Sequence, residues 1–141
     1  MPEPIKKDPD SAPSTGEHKP GPLIFVVDDL PDLSELMEIV LNSAGYQARS
    51  FSDPLTVLSV LSSDAPKPRL LVTDYRMPQL NGMELIQRCK AILPELKVIS
   101  ASATLFENEM AAYKEKPDRV LPKPYSIAEL LSAVNELLEI E

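Results

Sequence analysis

Short runs of apolar residues alternate along this chain with longer segments in which apolar residues recur every three or four positions. Leu23–Val27 and Leu70–Thr73 are the clearest runs, and neither alternates with polar residues. Such runs predict strands that are buried on both faces, as in a parallel sheet. Weaker runs predict three further strands, at Tyr46–Phe51, Val98–Ala101 and Arg119–Leu121.

Helical spacing marks the segments that follow these strands. Capping residues, prolines and glycines predict where each helix begins and ends. We expect helices from Pro31 to near Gly45, from Pro54 to about Leu61, from the end of the loop that contains Gly82 to Pro94, from Glu107 to Lys116, and after Ser126. Three of them have clear apolar faces: Leu33, Leu36, Met37, Val40 and Leu41; Leu85, Ile86, Cys89, Ile92 and Leu93; and Ile127, Leu130, Leu131, Val134 and Leu138.

Five repeats of strand then helix predict an α/β fold, a doubly wound parallel sheet with helices on both faces. The pattern alone does not fix the order of the strands. No glycine-rich loop follows the first strand, which argues against a dinucleotide-binding fold or a nucleoside triphosphatase.

Composition is typical of one compact domain, since the chain has 141 residues and is 43% hydrophobic. Residues 1–22 are rich in proline and charge, so we expect a disordered arm there and a single domain over residues 23–141. Cys89 is the only cysteine, and it lies on a helical apolar face, which indicates a core residue. Without a signal peptide or a membrane-length apolar run, we expect a soluble, cytoplasmic protein that has no membrane partner.

The charge and the histidine content exclude several classes of function. A formal net charge of −8 without a cluster of Lys and Arg argues against nucleic-acid binding. His18, the only histidine, lies in the proline-rich arm, which argues against Ser-His-Asp and Cys-His catalysis. Any chemistry therefore depends on carboxylates, hydroxyls and amines.

Polar residues stand where four of the predicted strands end. Asp28 and Asp29 follow the first strand, Asp74 the third, Ser102 the fourth and Lys123 the fifth. The carboxyl ends of parallel strands meet at one edge of the sheet, where ligands bind. Three carboxylates there repel one another, and Mg²⁺, or Mn²⁺ in its place, would relieve the repulsion. With an amine and a hydroxyl for anionic oxygens, this set is suited to phosphoryl transfer.

Each of these residues also has a plain structural explanation. Asp74 alone could be a helix cap or a solvated loop acid, and the Asp28-Asp29 pair could serve a helix dipole. Ser102 alone could be a turn residue, and Lys123 a solvated lysine. Their joint placement favours a functional site. Because no histidine or cysteine is near, the nucleophile should be a carboxylate and the product an aspartyl phosphate.

From Leu23 to Ile140 the chain resembles the receiver domains of two-component response regulators. The matching motifs are FVVDD, which ends at Asp29, the block DYRMPQLNGME from Asp74 to Glu84, Ser102-Ala103, and Lys123-Pro124-Tyr125. The resemblance implies a flavodoxin-like sheet with strand order 2-1-3-4-5. It also implies that Asp74 accepts a phosphoryl group from a sensor histidine kinase or a histidine phosphotransfer protein.

The resemblance also implies a role for each matching residue. Asp29 should ligate Mg²⁺ directly, and Asp28 should hold its waters or share in ligation. Asp74 should add a carboxylate oxygen, and the backbone carbonyl of Arg76 a further ligand. Such a protein promotes its own phosphorylation and dephosphorylation but turns over no separate substrate.

Ser102 and Lys123 should contact the phosphoryl oxygens, and the Lys123–Pro124 bond is a candidate cis peptide by the same resemblance. The chain departs from the family pattern at Val120, three residues before the lysine, where Tyr or Phe is common. Ser100 offers a competing alignment for the strand-four hydroxyl, and the length of the strand favours Ser102.

No output domain follows the last predicted helix, so output should come from an unknown downstream protein or from domains outside this sequence. The resemblance places that partner on the face formed by the fourth predicted helix, the fifth strand and the last helix. Two other functions stay open. One is a receiver-like binding module that does not depend on phosphorylation, and the other is a Mg²⁺-dependent phosphohydrolase with an aspartate nucleophile.

Overall fold

A five-stranded parallel sheet forms the centre of the molecule in the computed structural model, which describes residues 21–102 and 110–138. The strand order is β2-β1-β3-β4-β5, which confirms the order 2-1-3-4-5. All five strands lie where the apolar runs predict them, with ends shifted by one residue at most. They are β1 (Leu23–Val27), β2 (Gln47–Phe51), β3 (Leu70–Asp74), β4 (Lys97–Ser102) and β5 (Arg119–Pro122).

Four helices are assigned in the described ranges: α1 (Pro31–Ser43), α2 (Pro54–Leu61), α3 (Gly82–Ile92) and α4 (Ile127–Leu138). Side-chain caps start three of them. Asp53 accepts from the Leu55 amide at 3.0 Å, and Asn81 exchanges hydrogen bonds with Glu84 in a capping box. Ser126 accepts from the Glu129 amide at 3.0 Å while the Glu129 carboxylate accepts from the Ser126 amide. These caps are local in sequence, so the helix starts are predictable.

Two apolar cores lie on opposite faces of the sheet. One packs α2 and α3 against residues such as Phe25, Leu71 and Val98. The other packs α1 and α4 against Ile24 and Val72. Because consecutive strand residues point to opposite faces, each central strand contributes to both cores. The uninterrupted apolar runs in β1 and β3 follow from this double burial.

Some of the residues expected on the apolar helix faces are exposed. Met37 and Leu41 are buried, but Leu33 is 42% and Leu36 52% exposed. The buried residues of α1 are Ser34, Met37 and Leu41, and of these Met37 and Leu41 belong to the core on the sheet. Ser34 can be buried because its hydroxyl donates to the Pro31 carbonyl at 3.0 Å. The apolar stripe of α1 is therefore wider than its contact with the sheet, and Ile92 and Ile127 are likewise 42% and 56% exposed.

The fourth predicted helix falls mostly outside the described residues. Its predicted start at Glu107 lies in the undescribed range, and in the described part helix ends at Ala111 rather than at Lys116. The segment that follows is fixed by Gln87 of α3, whose amide bonds to the backbone N–H and C=O of Glu115 at 3.0 and 2.8 Å. The predicted arm over residues 1–22 also lies outside the description, except for Gly21 and Pro22.

Cys89 is fully buried in the core between α3 and the sheet. Burial raises the pKa of its thiol to about 12, so the thiol stays protonated at neutral pH. This agrees with the prediction of a core residue. Over the described ranges, no helix is both long and apolar enough to cross a membrane.

Ser100 provides a test of the packing in β4. Its hydroxyl is fully buried and has no hydrogen-bond partner within the described part of the chain. A buried polar group without a partner costs about 1–3 kcal/mol. We therefore expect Ser100→Ala to raise the free energy of unfolding by about 1 kcal/mol in urea titrations.

Ser34→Ala is the matched control, because the Ser34 hydroxyl is equally buried but donates to a carbonyl. It should bring no such gain. A loss of stability in Ser100→Ala would show that the Ser100 hydroxyl is hydrogen bonded.

Candidate functional site

The sequence-predicted polar residues follow or end their strands at one edge of the sheet, as expected. Asp28 and Asp29 come directly after β1, Asp74 ends β3, Ser102 ends β4 and Lys123 follows β5. Strand register explains the convergence, because Val27 pairs with Thr73, Asp74 with Ala101 and Ser102 with Pro122. The three carboxylates and the amine lie in one place, which we call the acid pocket.

Asp28 lies deepest in the acid pocket and is 3% exposed. Its backbone N–H donates to the Phe51 carbonyl at 3.1 Å, and its carboxylate accepts from the Leu30 amide at 2.9 Å. Burial raises the pKa of the Asp28 carboxyl, and the negative charges of Asp74 and Asp29 add to the rise. The Leu30 amide and Lys123 counteract it without cancelling it. The ionised form of Asp28 therefore lowers the stability of the folded state.

Asp74 and Lys123 form the ion pair of the pocket. The Nζ of Lys123 lies 2.9 Å from Oδ1 of Asp74, and the Tyr75 amide donates to the same oxygen at 3.0 Å. Within the described residues Oδ2 of Asp74 has no such partner. One carboxylate oxygen is thus held in place while the other can meet a cation or a phosphorus atom.

Lys123 is positioned by its own backbone. Its N–H donates to the Ser102 carbonyl at 2.7 Å, and the Lys123–Pro124 bond is cis, as expected. The amine is partly exposed, so a ligand can reach it.

The pocket can hold a hard cation. Asp28, Asp29 and Asp74 each offer a carboxylate oxygen, and the three oxygens lie within 4.8 Å of one another. One lysine cannot balance three carboxylates, and a small divalent ion with oxygen preference suits such a set. The Arg76 carbonyl lies in the loop two residues after Asp74, and its part as a ligand stays a prediction.

Register separates the two candidate hydroxyls of β4. Ser102 pairs with Pro122 at the edge of the sheet, one residue beyond the level of Asp74. Ser100 pairs with Thr73, below that edge, and is fully buried. This placement favours Ser102 as the hydroxyl of the site, and its contact with a phosphoryl oxygen stays a prediction. Val120 pairs with Ser100 and packs against the core of α2 and α3.

Tyr125 is a neighbour of the site for which the sequence analysis predicts no role. Its hydroxyl donates to the Met37 sulfur at 3.0 Å. Burial raises the pKa of Tyr125 to about 12, and the charges of Asp28 and Asp74 contribute. Tyr125 therefore stays neutral and forms an apolar wall on the α1 side. Nothing in the motif Lys-Pro-Tyr indicates that the Tyr125 side chain packs towards α1.

Gly82 brings the loop after β3 back against Asp74. Its N–H donates to the Tyr75 carbonyl at 2.7 Å. A Cβ at Gly82 would lie 2.6 Å from the Asp74 carbonyl oxygen and 3.0 Å from the Cα of Tyr75. Both are backbone atoms, so a larger residue would displace Asp74. From the sequence Gly82 was assigned only to the loop before a helix, although a glycine there could have suggested a close backbone approach.

An apolar groove of about 540 Å³ opens next to the acid pocket, between α1 and the segment that leads into α4. Asp28 and Lys123 belong to both, so the groove and the pocket are continuous. The exposed leucines of α1 lie in it, opposite residues of the β5–α4 segment. The groove is lined by Leu33, Leu36, Met37, Val40, Pro124, Tyr125, Ile127 and Leu130.

Comparison with known proteins agrees with this geometry. The family model described as response regulator receiver domain matches residues 24–135. The DNA-binding transcriptional regulator NtrC of Escherichia coli K12 is 31% identical over 117 residues, which cover 82% of this chain and 24% of NtrC. The chain therefore spans about a quarter of the length of that relative.

Solved structures give the same result. A response regulator receiver protein from Sinorhizobium medicae is 28% identical with a TM-score of 0.74, covering 84% of this chain and 95% of its own. The response regulator TrrA from Thermotoga maritima, solved in complex with Mg²⁺-BeF, is 24% identical with a TM-score of 0.72. That match covers 82% of this chain and 98% of TrrA.

The raised pKa of Asp28 makes a prediction about stability and pH. At a pH well below 3.8, the ordinary value, the carboxyl is protonated in both folded and unfolded chains. As the pH rises past that value the unfolded chain ionises first, so the folded state loses stability until its own carboxyl ionises. Asp28→Asn removes this loss and keeps an oxygen for the Leu30 amide. Without divalent ions, we expect it to raise the free energy of unfolding at pH 7 by on the order of 1 kcal/mol.

The gain should shrink to nothing at pH about 3, where the wild-type carboxyl is neutral as well. Denaturant titrations at both pH values measure it. Asp32→Asn, which alters an exposed acid in the first turn of α1, should bring no gain. A gain in Asp28→Asn that is independent of pH would contradict the electrostatic explanation.

Proposed function

Since this chain belongs to the receiver domain family of response regulators, we propose that Asp74 accepts a phosphoryl group from a phosphohistidine in a Mg²⁺-dependent reaction. The observation that carries the proposal is the acid pocket itself. Three carboxylates within 4.8 Å share one edge with Lys123, whose amine is 2.9 Å from Asp74. Phosphoryl transfer would use every part of this set, the carboxylates to hold a divalent cation and as nucleophile, and the amine to stabilise phosphoryl oxygens.

The donor set supports Mg²⁺ as the cation. Asp29 and Asp74 are partly exposed and can ligate an ion directly, while buried Asp28 holds its waters or shares in ligation. The Arg76 carbonyl is proposed as a further ligand. When bound, the ion neutralises the carboxylates and the incoming phosphoryl oxygens. TrrA was solved with Mg²⁺-BeF, which supports the same ion here, and Mn²⁺ has the same ligand preferences.

The residues of the chain then have distinct parts in the reaction. A carboxylate oxygen of Asp74 attacks the phosphorus of the phosphohistidine, the new P–O bond forms, and the P–N bond breaks. The electron pair stays on the donor imidazole, which takes a proton from water. Lys123 exchanges its bond to Asp74 for one to a phosphoryl oxygen, and Ser102 donates to another.

Dephosphorylation restores the pocket. Water attacks the same phosphorus, inorganic phosphate leaves, and the Asp74 carboxylate is regenerated. The chain would therefore promote its own phosphorylation and dephosphorylation without turning over a separate substrate. The complete set of Asp29, Asp74 and Lys123 disfavours a binding module that is independent of phosphorylation.

The protein that supplies the phosphohistidine would be a sensor histidine kinase or a histidine phosphotransfer protein. To bring its imidazole to Asp74 it must lie over the mouth of the pocket, and the apolar groove shares Asp28 and Lys123 with that mouth. Exposed Leu33 and Leu36 would then be buried by an apolar surface of the donor protein.

The downstream partner is proposed on a different surface. Phosphorylation adds negative charge beside Lys123 at the end of β5, and it draws on Ser102 at the end of β4. The segment between these strands, β5 and α4 would respond first. An unknown output protein would bind that surface.

Loss of the acceptor tests the chemistry. With Mg²⁺ and acetyl phosphate, the intact mass of the wild type should rise by one phosphate, and Asp74→Asn should abolish the gain because the amide is no nucleophile. Asp53→Asn, which changes the N-cap of α2 and is not one of the clustered acids, should be phosphorylated like the wild type. An unmodified wild type, under conditions that phosphorylate a known receiver, would contradict the proposal.

A second experiment separates docking from chemistry. Leu36→Glu should slow phosphotransfer from the histidine-phosphorylated donor protein about tenfold, because a buried apolar contact becomes a charge. Its rate with acetyl phosphate should be unchanged. Ile39→Glu is the control, since Ile39 is 62% exposed on the same helix but does not line the groove. Equal effects of the two variants would place the donor elsewhere.

A further inference from the structure

A second cavity lies at the amino edge of the sheet, opposite the acid pocket. Its volume is about 590 Å³, within the usual range for small-molecule sites. The loop before β3, the α3–β4 connection and the end of α4 enclose it. Its charged residues are Lys67, Arg69, Lys90, Lys97, Glu95 and Asp118.

The balance of charge in this cavity is opposite to that of the whole chain. Four cations face two acids there, whereas the chain carries a formal net charge of −8. Asp118 already has partners within the protein, because its carboxylate accepts from the Val98 amide at 2.8 Å and from the Lys90 amine at 3.4 Å. Lys67 is also hydrogen bonded within the protein, since its amine donates to the Leu61 carbonyl at 2.7 Å and to the Ser63 carbonyl.

Two of the four cations that line the cavity, Arg69 and Lys97, are left to be described. Neither side chain has a hydrogen bond or an ion pair with any residue in the described ranges, although both line the cavity. Their backbones are fixed next to each other, because the Lys97 amide donates to the Arg69 carbonyl at 3.1 Å and the Arg69 amide to the Leu23 carbonyl at 2.8 Å. Because Leu70 pairs with Lys97 and successive strand residues point to opposite faces, the Arg69 and Lys97 side chains leave the sheet on opposite faces and border the cavity from two sides.

We propose that this amino-edge cavity binds a small phosphate-bearing molecule with a flat apolar body, about the size of a mononucleotide. A guanidinium fork and a lysine point charge are complementary to phosphate oxygens. Leu93, Pro94 and Leu137 supply an apolar wall for the rest of the molecule. The cavity is at the edge opposite Asp74, so this site goes beyond phosphorylation and does not depend on it.

Titration of the ¹⁵N-labelled full chain with AMP or with inorganic phosphate tests the proposal, without Mg²⁺ so that the acid pocket stays electronegative. Amide shifts should appear around Arg69 and Lys97 at the amino edge. AMP should bind more tightly than inorganic phosphate, because only AMP has a flat body for the apolar wall. Shifts confined to the surroundings of Asp74 and Lys123, or no shifts at all, would overturn the proposal.

Charge-matched variants separate a site from general attraction. Arg69→Gln/Lys97→Gln should weaken AMP binding at least about tenfold, since both phosphate contacts are lost. Arg88→Gln/Lys114→Gln removes the same charge from exposed residues outside the cavity and should bind like the wild type. Equal weakening in the two double variants would overturn the site, and equal affinity of the wild type for AMP and phosphate would overturn the apolar wall.

Discussion

Repulsion between three carboxylates at one edge of a sheet is the constraint on which the rest of this structure depends. Asp28, Asp29 and Asp74 offer oxygens within 4.8 Å of one another, and within the described residues Lys123 is the cation that pairs with Asp74. Isolated in water, such a cluster would separate. Here each acid is attached to the end of a buried strand, so the free energy of the two cores holds the charges together. The raised pKa of Asp28 is the sign of that cost.

If Asp74 is phosphorylated as proposed, the same repulsion would let the site act as a switch. A cation or a phosphoryl group would change the balance of charge in the pocket by one or two units. The Lys123 amine would then pair either with Asp74 or with a phosphoryl oxygen. The backbone N–H of Lys123 donates a hydrogen bond to the Ser102 carbonyl of β4, so a shift of the lysine would also move the neighbouring strand. Under the proposed function, short connections at one sheet edge would couple the chemistry of the pocket to the surface.

Much of this could be predicted from the sequence, because the informative signals are local. Uninterrupted apolar runs gave the strands, caps such as Asp53 gave the helix starts, and strand ends gave the site. What could not be predicted depends on packing between distant elements. Leu33 and Leu36 have core-like spacing, yet they are exposed while the neighbouring Ser34, Met37 and Leu41 are buried. Likewise, the close approach of Gly82 to Asp74 appears only when the loop after β3 is closed.

The central claim is that Asp74 itself becomes phosphorylated, and reductive trapping tests it most directly. Borohydride reduces an acyl phosphate to an alcohol, so a phosphorylated aspartate becomes homoserine, which peptide mass spectrometry can locate. After treatment with Mg²⁺ and acetyl phosphate, the account predicts homoserine at position 74 and at no other aspartate. Homoserine at position 28 or 29 instead, or none in a chain that has gained phosphate, would contradict it.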